Sequence, residues 1–179
     1  MSAERRLFFA LGLQPALQQQ IIQWRAAHFA AESGRPIAAA NLHLTLAFLG
    51  DVSDKKMQVL TEVAGRLRSP AISLTLDDVG HWPGSGVVWL GTRRAPRALL
   101  QLADLLRSHA ARNGCHQSTL PFHPHVSLLR GATKPVAIPS ATDKWAFAAN
   151  EFSLYQSVYQ RGRTQYKCLQ SWPLHTDIE

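Results

Sequence analysis

A chain of 179 residues, 46% apolar and 17% charged, is long enough to bury a sizeable core and too apolar to be disordered throughout. Its 19 Lys and Arg against 12 Asp and Glu leave a net charge of +7, which suits an anionic partner such as nucleic acid or a phosphorylated small molecule. Cys115 and Cys168 have neither metal-ligand spacing nor the makings of a disulfide framework, as expected of a cytoplasmic protein, and no run approaches the roughly 18–20 apolar residues needed to cross a membrane.

Residues 6–13 form an apolar run bounded by arginines and by Gln14-Pro15, which predicts a buried first strand. The run is too short for a secretory signal and no Ala-x-Ala site follows it. Pro15 suits a first helical turn, and Leu17, Ile21, Trp24 and His28 then mark one face of a helix stopping near Ser33-Gly34. Residues 41–49 alternate as a strand closed by Gly50-Asp51, and Ser53 is placed to cap a helix carrying Met57, Leu60, Val63 and Leu67. A strand is expected over 71–79, with Ile72, Leu74 and Leu76 on one face, and another over 86–92 after the turn Pro83-Gly84-Ser85-Gly86. Pro96 opens a helix whose stripe is Leu99, Leu102, Leu106 and His109, ending at Asn113-Gly114. A strand around 122–129 follows, then strands over 146–156 and 164–172 that form a hairpin turning at Arg161-Gly162.

The second half resembles the first. Strand, proline-opened helix, loop and a strand bearing His-x-Thr/Ser-Leu run over 6–46 and again over 86–128. One bilobal domain over 1–179 is therefore expected, of α+β class. Two pseudo-symmetric lobes of mainly antiparallel sheet would flank a central cleft, with helices on the outside.

The first motif is Asn41-Leu42-His43-Leu44-Thr45-Leu46, and the second is His123-Pro124-His125-Val126-Ser127-Leu128. Strand side chains alternate, so His43 and Thr45 share one face while the leucines anchor the other, and His125 and Ser127 repeat the pattern. Facing each other, the strands present two imidazoles and two hydroxyls to one small anion. Phosphodiester hydrolysis needs such a set. One imidazole takes a proton from attacking water, the other protonates the leaving oxygen, and hydroxyls hydrogen-bond the non-bridging oxygens. An imidazole of ordinary pKa, about 6.5, holds either proton state near neutrality. No acidic cluster or Cys/His spacing supplies a metal site.

Paired His-x-Thr/Ser-Leu elements in a duplicated chain of this length resemble the two-histidine phosphoesterase superfamily, with the greatest similarity to its bacterial RNA 2′,3′-cyclic phosphodiesterase branch, also called 2′–5′ RNA ligases. The likeness runs from Arg-Leu-Phe-Phe-Ala-Leu at 6–11 to Gly162-Arg163-Thr164-Gln165-Tyr166 and Trp172-Pro173-Leu174. It implies a metal-independent enzyme without a cofactor that opens an RNA-terminal 2′,3′-cyclic phosphate to a 2′-phosphate. It also implies that the reverse reaction can join RNA ends through a 2′–5′ linkage. His43 and Thr45 match the family's first motif, and His125 and Ser127 match the second. Arg130 matches a family arginine associated with phosphate binding, yet its strand parity is opposite to that of His125, so reaching the cleft requires a bend or a strand end near Gly131. The same offset after His43 is Phe48, so one lobe alone supplies a cation there. Because Arg130 belongs to the second motif, His125 is read as general base and His43 as general acid.

The expected partner is an RNA or nucleotide end bearing a cyclic phosphate, met by a monomer that has no membrane partner. His123 shares the parity of His125, but Pro124 interrupts the strand, so a structural role beside the second motif is expected. His28, His81, His109, His116 and His175 lack partner spacing. Phe9, Phe48, Trp82 and Tyr166 are candidates to stack on a terminal base, weighed against the ordinary fate of aromatics as core. Two rival readings keep the cleft. One is a phosphodiesterase for 2′–5′ oligonucleotides or small cyclic-phosphate metabolites. The other is a non-catalytic RNA-binding module that forms no product.

Overall fold

Alternation and apolar runs sort the chain into strands with one face toward a core and one toward a cleft. In the computed structural model, which describes residues 4–139 and 144–175, the order is β1 (Arg5–Gly12), α1 (Pro15–His28), β2 (Arg35–Pro36), β3 (His43–Val52), α2 (Asp54–Arg66), β4 (Ile72–Leu76), β5 (Asp78–Trp82), β6 (Val87–Gly91), α3 (Arg97–Arg112), β7 (His125–Arg130), β8 (Trp145–Ala149), β9 (Glu151–Gln160) and β10 (Arg163–Pro173). The main sheet runs β10-β9-β1-β3-β7-β6-β5, with β2 also on β7, and β4 pairs with β8 in a small second sheet. All of these strand pairs are antiparallel. The α+β class read from composition and pattern is the class the chain adopts.

The core face of the sheet carries Leu7, Phe9, Leu11, Leu44, Leu46, Val126 and Leu128, which cluster with Ile21 and Trp24 of α1, Leu60 of α2 and Leu99, Leu102 and Leu106 of α3. Burying each such side chain stabilises the fold by roughly 1.5–3 kcal/mol. Ser53 caps α2, accepting from the Lys56 N–H at 3.2 Å. β1–α1–β3 and β6–α3–β7 share one order, strand, helix, antiparallel strand, and the two units meet where Leu44 of β3 pairs with Val126 of β7.

Several boundaries differ from the expectation. The first helix ends at His28, and 31–33 is a separate 3-10 turn. β3 does not close at Gly50-Asp51; it runs on to Val52 with Gly50 at φ +75°. The strand expected over 71–79 is two strands in different sheets, β4 and β5, because the chain leaves one sheet for the other at Asp77. The strand expected over 146–156 likewise divides at Asn150 into β8 and β9. The strand around 122–129 begins only at His125, after Pro124, which has no N–H for a ladder. The late hairpin turns at Arg161-Gly162, both with positive φ (53° and 76°), as a two-residue hairpin turn demands.

Two bulges carry functional weight. Between β6 and β7, Trp89 faces Ser127 while Val88 faces Leu129, so Leu128 is an extra residue. Between β1 and β3, Ala10 faces Thr45 while Phe9 faces Ala47, so Leu46 is its counterpart. Each bulge makes two successive residues point to the core and returns the next one to the cleft face, as the burial of Leu128-Leu129 and Leu46-Ala47 records. The Leu128 carbonyl is held by the Ile37 N–H at 3.0 Å and by the Arg25 guanidinium at 3.2 Å, and Arg25 also donates to the Ile37 carbonyl at 2.7 Å. Arg25, only 9% exposed on α1, thus ties helix, loop and bulge together. Arg25→Met should lower the unfolding free energy in urea melts by about 2 kcal/mol, the worth of hydrogen bonds from a charged donor to otherwise buried carbonyls. An unchanged midpoint would mean that the bulge is held without it.

Candidate active site

Antiparallel pairing of Leu44 with Val126 fixes the register of the two motif strands. In that register His43 stands opposite Ser127 and Thr45 opposite His125, all on the face away from the buried Leu44 and Val126. The two histidines are then diagonal neighbours with Cα atoms roughly 7–8 Å apart, enough to flank a phosphorus atom.

Each imidazole is oriented in the same way. His43 Nδ1 lies 2.7 Å from the Asn41 carbonyl and His125 Nδ1 lies 2.8 Å from the His123 carbonyl. A carbonyl only accepts, so both rings carry their proton on Nδ1 and leave Nε2 as an acceptor. His43 Nε2 lies 2.7 Å from Thr45 Oγ1, whose hydroxyl donates to the neutral ring.

Aromatic rings wall both histidines. Phe8 and Tyr166 lie 4.8 and 5.1 Å from the His43 ring, and Trp82 lies 4.8 Å from His125. Trp89 packs on His123 at 4.5 Å and on Trp82 at 5.2 Å. Its indole lies across Gly80, where a Cβ would collide with the ring, so glycine is required there. These walls strip water from the imidazoles. Burial lowers the His43 pKa to about 4, outweighing the upward pull of the Asn41 carbonyl, and Arg130 and His125 add smaller downward contributions. Burial, then His123 and Arg130, also lowers that of His125, with the His123 carbonyl opposing. Both rings are neutral at pH 7.

The bulge at Leu128 settles the parity of Arg130: it reaches the cavity beside His43 and Thr45. The cavity, about 800 Å³, is also walled by Arg6, Arg35 and Arg163, and no Asp or Glu is among its lining residues. Arg35 and Arg130 are register partners across β2 and β7. Like charges facing each other are unfavourable unless an anion lies between them. Phe48, at the position equivalent to Arg130, lines the same cavity at 44% exposure, with the Arg6 guanidinium 4.8 Å from its ring centroid.

Of the sequence candidates, His43, Thr45 and Arg130 line the cavity, while His125 and Ser127 stand on the neighbouring strand against Trp82 and Trp89 and are not among the lining residues. Tyr166 and Phe48 line the cavity, Phe9 is buried in the core, and Trp82 is part of the wall beside His125. His123 is exposed and packs against Trp89, and its carbonyl orients His125. Among the remaining histidines, His28 stacks on Trp24 and His81 Nε2 lies 2.6 Å from the Ala132 carbonyl. Sequence reasoning missed Arg6, Arg35, Phe8 and Trp89. Arg6 and Phe8 share the cleft parity of β1, a signal open to reading; Arg35, on a two-residue strand, has none.

Because His43 resists protonation when folded, the unfolded chain binds more protons between about pH 4 and about 6.5. Stability is therefore complete above about pH 6.5 and falls as the pH drops toward about 4. His43→Gln should flatten that fall in melting temperature; a variant as pH-sensitive as the wild type would contradict the assignment.

The sequence matches the model of the 2′-5′ RNA ligase superfamily over residues 13–158. It is 56% identical over 174 residues to the RNA 2′,3′-cyclic phosphodiesterase of Escherichia coli, spanning 97% of this chain and 99% of that protein. The structure is similar to that of E. coli LigT complexed with 3′-AMP, with TM-score 0.93 and 56% identity over 96% of this chain and 98% of that one. It is similar also to E. coli LigT complexed with phosphate, with TM-score 0.89 and 53% identity over 97% and 99% of the two chains. Family match, near-complete coverage and shared fold lead to one conclusion: the chain belongs to the 2′-5′ RNA ligase superfamily.

Proposed function

We propose that the chain hydrolyses RNA-terminal 2′,3′-cyclic phosphates to 2′-phosphates, without a metal ion, with His125 as general base and His43 as general acid. The observation that carries this reading is the pair of imidazoles set diagonally across β3 and β7, each tethered through Nδ1 to a carbonyl two residues earlier. The substrate follows from the E. coli relative, an RNA 2′,3′-cyclic phosphodiesterase. Positive charge comes from arginines, and among the described residues no group of three or more His, Cys, Asp or Glu converges on a cation site. The free thiols of Cys115 and Cys168 suit the reducing cytoplasm.

In this reaction His125 Nε2 takes a proton from water as the water oxygen attacks phosphorus. The P–O3′ bond breaks, and the Nε2–H of protonated His43 delivers its proton to O3′. The phosphate remains on O2′. Thr45, Ser127 and Arg130 hold the non-bridging oxygens. A ribose 5′-hydroxyl in place of water gives a 2′–5′ diester by the same steps. Both pKa values are lowered, so the division of roles rests on Arg130 belonging to the strand of His125, and the negative charge of a bound phosphate is what favours the protonated form of His43.

The reaction needs one proton on the pair, and both rings titrate below the ordinary imidazole value. kcat/KM should therefore fall about tenfold per unit above pH ~6.5, and a flat profile from pH 5 to 8 would contradict two titrating imidazoles. With excess chelator, ³¹P NMR should record a 2′-phosphate product from cyclic-phosphate-ended RNA, and His43→Ala and His125→Ala should each lower kcat by about 10²–10⁴-fold. A substrate with sulfur in place of O3′ has a leaving group that needs no proton, so it should restore turnover to His43→Ala and not to His125→Ala. The reverse pattern would exchange the two roles, and a 3′-phosphate product would contradict the regiochemistry.

A further inference from the structure

The β9–β10 hairpin does more than complete the sheet. From Ser157 to Tyr166 every residue is exposed or half-buried, so no core holds its tip. Two strands without an apolar face are marginally stable alone. Here the ladder, the Arg161-Gly162 turn, the Tyr166 ring packed on Phe8 and His43, and a hydrogen bond from Asn41 Nδ2–H to the Thr164 carbonyl at 2.9 Å hold the ribbon beside the first motif. A projecting ribbon of this kind offers a surface.

The chemistry of that surface is one-sided. The stretch 155–167 contains Arg161, Arg163 and Lys167 and no acid. Ser157, Gly162, Thr164 and Tyr166 wall the cavity that holds His43. Arg163 and Gln165 line both that cavity and a second hollow shared with Gln160 and Arg161, so the cleft continues over the hairpin. Tyr159 pairs with Thr164 and Ser157 with Tyr166, which puts Tyr159 on the face of the ribbon that bears Tyr166, about 7 Å further from the catalytic pair than Ser157. Its ring is 74% exposed, and its hydroxyl lies near Gly162. An exposed aromatic beside cations that have no carboxylate partner among the described residues is the combination that tracks a single strand, bases stacking on the ring and phosphates on the guanidinium groups.

We propose, building on the function argued above, that the β9–β10 hairpin carries the single-stranded RNA leading to the cyclic-phosphate end, with Tyr159 stacking a base upstream of the terminal nucleotide and Arg161 and Arg163 neutralising phosphates. Charge complementarity selects a polyanion, and continuity with the catalytic cavity selects the strand whose end is bound there. A mononucleotide fills the cavity without reaching the tip.

The test compares wild type with Tyr159→Ala and Arg161→Asn. Tyr159 is exposed, and Asn tolerates the left-handed backbone of position 161, so both variants keep the fold. Affinity is measured by calorimetry for 2′-phosphate-ended RNA of one, two and four nucleotides, which the enzyme does not turn over. Wild type should bind the tetranucleotide at least about tenfold more tightly than the mononucleotide. Tyr159→Ala should lose most of that gain, a stacked base being worth about five- to a hundredfold. Arg161→Asn should reduce the slope of log affinity against log salt by about 0.7, one phosphate contact on a single strand. Mononucleotide affinity should be unchanged in both. Affinity independent of length, or a length gain that survives both substitutions, overturns the track. Failure of the catalytic reading is separate: no hydrolysis of any cyclic-phosphate end removes that reading, while length-dependent binding lost in the variants still supports the track.

Discussion

The extra residue in each motif strand is the constraint on which the cleft depends. Without the Leu128 bulge, Arg130 would have the parity of Leu128 and point into the core; with it, the arginine joins His43 and Thr45 at the cavity wall. The Leu46 bulge does the same for Phe48. A bulge leaves the local ladder irregular, so something outside the ladder must fix its backbone. For Leu128 that is the pair of hydrogen bonds from Ile37 and the buried Arg25. A helix residue with no place in the cleft thereby determines where the Arg130 cation stands.

Around that frame two opposing influences are balanced. The aromatic walls, Phe8 and Tyr166 on one side and Trp82 on the other, favour uncharged imidazoles. Arg130 adds to this, since positive charge also disfavours a second cation. In the proposed reaction an entering phosphate would reverse the sign of the field, so the anion itself would supply the condition under which one imidazole holds a proton. Substrate charge and protonation would then be coupled through the same few residues, and a cavity lined by four arginines and no Asp or Glu suits that coupling.

Much of this was legible in the sequence because it rests on alternation. His43, Thr45, His125 and Ser127 declare their shared face by spacing, and the leucines between them declare the core. Less legible were features that alternation hides. The 71–79 and 146–156 runs keep their period while the chain changes sheets at Asp77 and Asn150, since a strand's pattern does not record its neighbour. The bulges left a faint trace in the consecutive apolar pairs Leu46-Ala47 and Leu128-Leu129, which break the period where Arg130 needed it broken. Arg25 left none: a basic residue in an amphipathic helix looks solvated until the carbonyls that receive it are known. Trp89 is only nine residues from Gly80, but their contact depends on the register of β5 on β6, which the residue pattern does not fix.

The central claim is that two Nδ1-protonated, neutral imidazoles stand diagonally across β3 and β7 and that a bound phosphate favours the protonated form of one of them. ¹⁵N NMR of selectively labelled histidine measures this directly, at pH 7, in the free protein and with a saturating 2′-nucleotide. The account predicts neutral rings with the proton on Nδ1 at His43 and His125 when free, and one proton taken up by the pair on binding. An imidazolium at either position in the free protein, or no change in either ring when the phosphate binds, would contradict it.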